Sequence, residues 1–402
     1  MTAAPAELAI DLMSGEFHGG DPYPAYAWMR ANAPIYYDEA NDIWAAATYE
    51  HVKAMGTDPT TYSNATGSRP KFLPMPMMVD MDPPDHHRHR KLVSAGFTPR
   101  RIAAMEDHVR AVCDAVIDEV SERGSCDFVR DIAAPLPLNM IGDMLGVDHE
   151  SRPDLLRWSE DMLASQGQPD EATAERASLA FAEYMAYMQP VLADRRRTRS
   201  EDDLIGILVN AEIDGDRLDD DALLFESLLL LIGGDETTRH VLSGGMLALQ
   251  QHPEQLRLLE SDPSLLRGAV EEMLRWVSPI KNMNRTLLRD VDIDGVQIRE
   301  GGQILLLYPS ANRDESVFDS PDTFDITRDP NPHVAFGFGS HFCLGNQLAR
   351  IELRVMFEQL LKRLPNLRLA EPGPYPVRPS NFISGLETLP VTFSASPRSG
   401  GQ

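Results

Sequence analysis

The stretch Phe336-Gly337-Phe338-Gly339-Ser340-His341-Phe342-Cys343-Leu344-Gly345 constrains this chain more than any other. It places one cysteine between glycines and aromatics, and a helical run begins directly after it, near Asn346. Backbone N–H groups and the positive end of a helix dipole stabilise an anionic sulfur at such a mouth. The thiol pKa is therefore expected to fall, which makes Cys343 a candidate ligand for an oxidised metal. A free cysteine can equally be a small buried hydrophobe. What favours the ligand is the spacing Phe336-x-x-Gly339-x-x-x-Cys343-x-Gly345, which removes side chains on both sides of the sulfur and lets backbone approach something large and flat. A dinucleotide-binding fingerprint is excluded, because Phe342 stands where the third glycine after Gly337-x-Gly339 would be.

This loop resembles the haem-binding loop of the cytochrome P450 monooxygenases. The resemblance implies that Cys343 is the axial thiolate of a haem iron, with Phe336, Gly339 and Gly345 shaping the contact.

A chain of 402 residues exceeds the usual size of one domain, yet no linker-like tract or internal repeat divides it. One body over residues 1–402 is expected, mainly α with a smaller β part. The helical part is placed at about 85–280 and 345–365, the strand-bearing part at about 35–50, 285–310 and 380–395. Hydrophobic residues, at 43%, suffice for a large core, and a formal charge of −25 argues against a nucleic-acid partner. Cys113, Cys126 and Cys343 are too few and odd in number for a disulfide framework, which fits a reducing cytoplasm. Met1 to Asp11 lacks a basic leader region, and no apolar run of about 18 residues suggests an integral membrane segment. Asn64-Ala65-Thr66 is then a glycosylation match without consequence.

A short helix is read over Asp21 to Asn32. A hairpin follows, formed by Ile35-Tyr36-Tyr37, an Asn41-Asp42 turn and Ile43 to Thr48. Prolines at 59, 70, 74, 76, 83 and 84 break the segment from Thr57 to Pro84, which carries Phe72, Leu73, Met75, Met77 and Met78. Long irregular segments in compact proteins are usually functional, and methionines suit a pliable binding wall; a core plug is the other reading. Next, Asp82-Pro83-Pro84-Asp85 opens a helix on which His86 and Arg90 share a face. With Arg88 and Lys91 beside them, His86, His87 and His89 read as a cationic face for anions rather than a metal site. Periodic apolar positions mark several helices between 101 and 200, and Arg195-Arg196-Arg197 reads as a solvated helix end.

Asp219-Asp220-Asp221 caps a long helix that runs to about Gln251, before His252-Pro253. Inside it stands Gly233-Gly234-Asp235-Glu236-Thr237-Thr238. Two glycines there cost about 2 kcal/mol against alanine, so they serve either close helix packing or room for a ligand. Thr237 competes for backbone hydrogen bonds and widens the turn. Further on, Glu272 and Arg275 stand at the three-residue helical spacing.

The resemblance spans about Asp21 to Phe393 and adds expectations. It implies the cytochrome P450 fold, a triangular prism-like helical bundle around a buried haem b. His86, Arg90, Arg285 and His341 match propionate partners, and Gly233 and Gly234 leave space for haem and O2. Glu236-Thr237 matches the acid–alcohol pair that relays protons to dioxygen during its reduction. Glu272 and Arg275 match a buried scaffold pair. Its usual third partner, the arginine of a Pro-x-Arg-Phe segment, is replaced here by Thr323 in Pro321-Asp322-Thr323-Phe324, leaving Arg313 or Arg328 as substitutes. The region of Trp158, Met162, Leu163 and Phe181 matches a lid.

Within the family the chain is similar to bacterial steroid side-chain hydroxylases that act on cholesterol and cholest-4-en-3-one. The runs from Cys126 to Asp131, Leu231 to His240 and Asn381 to Glu387 carry this. Such enzymes oxidise a terminal methyl to alcohol, aldehyde and acid. A channel walled by Met75, Met77, Met78, Leu229, Ile232, Val277, Ile280 and Phe382 suits a sterol, and also a fatty acid or terpene. With no flavin or iron–sulfur motif, electrons are expected from NAD(P)H through a ferredoxin reductase and a ferredoxin. The ferredoxin would dock on Arg88, Arg100, Arg101, Arg350, Arg354, Lys362 and Arg363 of a cytoplasmic monomer. Two rivals remain: a haem sensor or carrier, which leaves Glu236-Thr237 unexplained, and an electron-transfer cytochrome, which needs no apolar pocket.

Overall fold

In the computed structural model, which describes residues 5–166, 169–201, 203–213 and 215–398, the helix Asp220–Gln251 is the longest element at 32 residues. The Asp219 carboxylate accepts the Ala222 N–H, one of the donors that a helix start leaves unpaired. Asp220 and Asp221 lie in the first turn, where the helix dipole favours negative charge. His252 leaves helical geometry directly before Pro253, which begins the helix Pro253–Ser261. Leu223, Leu228, Leu231, Val241, Leu242 and Leu249 are all buried. A helix that is apolar around its circumference has to be a core strut. It packs against Pro135–Met144, Arg152–Ala164, Glu171–Thr198, Leu266–Val277 and Asn346–Arg363.

The β part gathers distant segments. Ile35–Asp38 and Ile43–Ala46 form the expected antiparallel hairpin, with Asp42 in the left-handed region at φ 49°. Ile43–Ala46 then pairs in parallel with Gln303–Leu307, which pairs antiparallel with Asn282–Leu287; Tyr62–Ser63 completes five strands. Successive side chains of Gln303–Leu307 go to opposite faces: Ile304 and Leu306 join a cluster with Val52 and Phe318, while Leu305 and Leu307 join Leu12 and Met29. Between 380 and 395 only Pro390–Thr392 is a strand, paired with Ser125–Asp127 and Arg368–Leu369. The rest of that segment is a loop anchored by the isolated bridges Ile280–Ile383 and Val377–Leu386. Among the described residues no helix is long and apolar enough to cross a membrane.

Behind the cysteine loop, Glu272 and Arg275 of the helix Leu266–Val277 are completely buried and joined by two hydrogen bonds of 2.8 and 2.7 Å. Arg275 also donates to the carbonyls of Asn312 at 2.8 Å, Pro321 at 2.9 Å and Thr323 at 3.2 Å. Glu272 accepts the Asp325 N–H at 2.9 Å, the Asn331 amide at 3.0 Å and Arg328 Nε at 3.3 Å. Arg328 is therefore the second cation on Glu272. Arg313 points elsewhere, to Asp322 at 2.8 Å and over the Trp276 ring at 3.7 Å. Thr323 joins through its backbone, so its side chain is free to differ.

Removing one member of such a pair leaves an uncompensated buried charge, which typically costs about 3–5 kcal/mol. Glu272→Ala is expected to lower unfolding free energy by that order in denaturant titrations. Arg328→Ala should cost clearly less, because Arg275 and Asn331 remain on Glu272; equal losses would contradict this ranking.

Candidate active site

The Cys343 loop is folded tightly on its surroundings. Gly337 and Gly339 adopt φ of 70° and 74°, and a side chain on Gly339 would collide with the Gly56 carbonyl. The Cys343 N–H closes the loop onto the Phe336 carbonyl at 2.9 Å. Asn346, first residue of the helix Asn346–Arg363, donates from its amide to the Cys343 carbonyl at 2.7 Å. Arg350 lies over the Phe336 ring at 4.6 Å and pairs with Glu271 at 2.7 Å.

Burial pushes the Cys343 thiol up, while the N–H groups of Gly345 and Asn346 and the cations Arg90 and Arg350 pull the other way without overcoming it. The N–H donors expected from the sequence are present, and burial outweighs them. A metal cation against the sulfur would supply the opposing stabilisation, since a coordinating thiol is deprotonated outright.

Cys343 lines an apolar cavity of about 670 Å³, whose wall also includes Gly233 and Thr237 of the long helix. The two helix glycines do different things. A Cβ on Gly233 would meet nothing within 4 Å, whereas one on Gly234 would come within 3.1 Å of Ile141. One therefore opens space and the other admits the neighbouring helix Pro135–Met144. The Thr237 hydroxyl donates to the Gly233 carbonyl at 2.9 Å.

Phe336, Gly345, His86, Arg90, Arg285 and His341 also border this cavity. Gly339 does not; it lies against Gly56 instead. Of the expected apolar wall, Met75, Met77, Met78, Leu229, Ile232, Ile280 and Phe382 line it. Val277 is outside that wall, its methyls turned to Gly244 of the long helix. The expected loop cluster divides, since Leu73 is 90% exposed while Phe72 is on the wall. Met162, Leu163 and Phe181 border the cavity, but Trp158 is buried and donates to Glu183 at 2.8 Å.

On one side the wall is cationic. The His86 and His341 rings lie 4.1 Å apart, and both nitrogens of His86 and Nε2 of His341 are buried without a hydrogen-bond partner among the described residues. Burial, helped by Arg90 for His86 and by Arg285 and His86 for His341, lowers their pKa values to about 4 and about 2. Arg90 donates to the Phe342 carbonyl, and Arg285 to that of Asn284 at 2.8 Å. Buried donors without acceptors cost roughly 1–3 kcal/mol each. This wall therefore fits a ligand that brings carboxylates, and together with the sulfur and the open glycines it fits a haem with two propionates.

Sequence reasoning missed two groups on this wall. Arg69 is buried over the Phe382 ring at 4.1 Å and donates to Asn282 and Asn381. Burial raises Glu352, on the helix that follows Cys343, to about 8. Neither carries a local signal, because their partners come from remote segments.

Glu236 is completely buried but is not part of the cavity wall. Its Oε2 accepts from Arg239 at 2.7 Å and Arg378 at 2.9 Å, and lies 3.2 Å from His240 Nε2. Oε1 has no hydrogen-bond partner among the described residues. Burial opposes its charge, but His240, Arg239 and Arg378 outweigh that and hold the carboxyl down. Its neighbour Asp235, pushed up by burial and by Glu236, accepts the Ser159 hydroxyl at 3.0 Å.

The basic residues expected to form a docking face are largely paired. Arg350 is on Glu271, Arg354 on Glu106, Lys362 on Glu358, Arg88 on Asp216, and Arg363 on Asp114 and Asp118. Arg195 and Arg196, read as a solvated helix end, are likewise bound to Asp203 and Asp220.

Known proteins are similar to this chain along almost its entire length. The family model described as Cytochrome P450 matches residues 41–367. A steroid C26-monooxygenase of Mycolicibacterium smegmatis is 52% identical over 96% of both chains, and one of Mycobacterium tuberculosis is 50% identical over 100% of both. The crystal structure of CYP109E1 from Bacillus megaterium in complex with testosterone superposes with a TM-score of 0.87 at 31% identity, covering 94% of this chain and 99% of that one. With the glycine-flanked cysteine, the cationic wall and the open helix glycine all on one cavity, this chain belongs to the cytochrome P450 family.

Proposed function

We propose that this monooxygenase hydroxylates the terminal methyl of a sterol side chain, as in cholesterol or cholest-4-en-3-one, and carries it on to aldehyde and acid. The observation that carries the reading is the pairing of a large apolar cavity ending at Cys343 with about half-identity over the full chain to two steroid C26-monooxygenases. Each first step consumes O2, two electrons and two protons, and yields the alcohol and water.

Cys343 would hold the iron of a haem b through its sulfur, and His86, Arg90, Arg285 and His341 would receive its propionates. Gly345 and Gly233 leave room for the group, Phe336 borders it, Gly234 lets the helix Pro135–Met144 pack close beside it, and Gly339 lets the loop fold down. When bound, the haem would supply the oxidising power that breaks an unactivated C–H bond, with the Cys343 sulfur as its electron-donating ligand. Thr237 holds a hydroxyl at the cavity where a proton is needed. Glu236, behind it, passes protons from the solvent side. Met75, Met77, Met78, Leu229, Ile232, Ile280 and Phe382 hold the apolar substrate and exclude water. Electrons come from NAD(P)H through a ferredoxin and its reductase to a cytoplasmic monomer. Fatty acids and terpenes are the competing substrates for the same wall.

Titrating ferric protein with cholest-4-en-3-one should give a low-to-high-spin shift, and mass analysis of the turnover mixture should find side-chain alcohol and acid. A shift with fatty acids and none with the sterol would reverse the substrate ranking. Cys343→Ala should lose the thiolate-type Soret band of the reduced carbonyl complex. Thr237→Ala should keep that band but lose on the order of 10² in product formation, with electrons diverted to peroxide; normal coupling in this variant would remove Thr237 from the relay.

A further inference from the structure

Arg69, in the irregular segment that follows the strand Tyr62–Ser63, is 8% exposed and borders the apolar cavity. Its Nη1 donates to the backbone and side-chain oxygens of Asn282 at 2.9 and 3.0 Å, and its Nη2 to those of Asn381 at 3.2 and 3.3 Å. All four acceptors are neutral. Nε is buried with no hydrogen-bond partner among the described residues. Asp80 attracts the guanidinium without bonding to it, and the Asp80 oxygens are taken by the N–H groups of Ser68 at 2.7 Å and Met75 at 2.9 Å.

More positive charge stands nearby. Lys281, the residue before Asn282, donates its ammonium to the Ser278 carbonyl at 3.3 Å rather than to an acid. His18 is lowered to about 4, chiefly by burial and further by the charges of Lys281 and Arg69. The chain as a whole carries a formal charge of −25, yet this corner gathers two cations with no acid bonded to either. A buried charge is costly until it is matched. A tie between Asn282 and Asn381 needs only a donor of the right length, and a neutral amide would serve; the fixed charge of a guanidinium is what calls for an anion. The open side lies at the cavity, where Arg69 stacks on the Phe382 ring at 4.1 Å and both residues share the wall with Cys343.

We propose that Arg69 forms a carboxylate subsite in this cavity, which takes the acid group of a molecule whose body is otherwise apolar. The guanidinium supplies the positive charge and a free N–H, and Ile280, Met283 and Phe382 hold the hydrocarbon beside it. Two sources share this chemistry: the side-chain acid of a sterol, which ends the oxidation series proposed above, and a long-chain fatty acid. With the sterol acid, the subsite makes the final product a ligand of its own enzyme, retained in competition with fresh sterol. This inference rests on the cavity being the substrate site of the proposed function.

The test titrates ferric holoenzyme at neutral pH with cholest-4-en-3-one, its side-chain acid, the methyl ester of that acid, hexadecanoic acid and methyl hexadecanoate, reading binding by spin-state shift and by calorimetry. Each ester keeps the shape of its acid and removes the charge. The subsite predicts that wild type binds an acid on the order of tenfold tighter than its ester. Arg69→Gln should weaken the acid on the order of tenfold more than it weakens the ester or the neutral sterol. Arg69→Lys, which keeps the charge without the fork, should lie between the two and serves if the glutamine variant does not fold. A response confined to the sterol pair or to the fatty-acid pair supports the subsite and names its ligand. Equal binding of acid and ester in wild type for both pairs, or equal weakening of acid, ester and neutral sterol in the Arg69 variants, would overturn the subsite and leave Arg69 as a tie between Asn282 and Asn381. No spin shift with cholest-4-en-3-one in wild type would count against the sterol reading instead, and the fatty-acid pair then decides for Arg69.

Discussion

Arg275 and Glu272 form a buried ion pair on which the cysteine side of the molecule hangs. Each of the two side chains alone would be costly to bury. Together they also bind three carbonyls and the amide of Asp325 between residues 312 and 325. That segment has little regular structure to satisfy its own backbone groups, so the pair substitutes for a sheet partner. From it the chain continues through Val334, whose N–H is held by the Asn312 side chain at 2.8 Å, directly into the loop that carries Cys343. The position of the sulfur thus depends on a charge pair in a neighbouring helix.

Electrostatics around the cavity is divided by face. Arg90 and Arg285, bonded to carbonyls rather than carboxylates, and two histidines with unpartnered ring nitrogens stand along one edge, and an acid held down by cations lies on the long helix. The first arrangement is incomplete without an anionic ligand, which ties its stability to what binds there. In the second, Arg239 and Arg378 already match the charge of Glu236, while its Oε1 keeps no partner among the described residues. Both follow from the same physics: a buried charge has to be matched, either by the protein or by a guest.

Local chemistry made several features legible in the sequence. The Asp219 cap and His252-Pro253 stop bound the long helix because caps and prolines act within one turn. The hairpin at Asp38 to Ile43 is set by branched and aromatic residues on either side of a turn. His86 and Arg90 share a face by helical spacing alone. Val277 was misplaced because its helix has several apolar positions and only the packed structure shows which one meets Gly244. Leu73 and Phe72 are neighbours of similar character with opposite fates, since the irregular backbone between Gly67 and Asp80 has no period from which a direction can be read. At Cys343 the N–H donors are local and legible in the sequence, whereas the burial that pushes its thiol up comes from the packed fold.

The sequence by itself determined the elements, the glycine-flanked cysteine, the Glu236-Thr237 neighbours and the family likeness, all of which depend on residues close together in the chain. Only the tertiary structure decided that Arg328 rather than Arg313 completes the Glu272 pair, that Gly233 opens space while Gly234 packs, and that Arg378 reaches Glu236. These depend on contacts across tens to hundreds of residues. Such contacts are fixed by how helices and loops pack to bury apolar surface and match buried charge, and no local pattern records them.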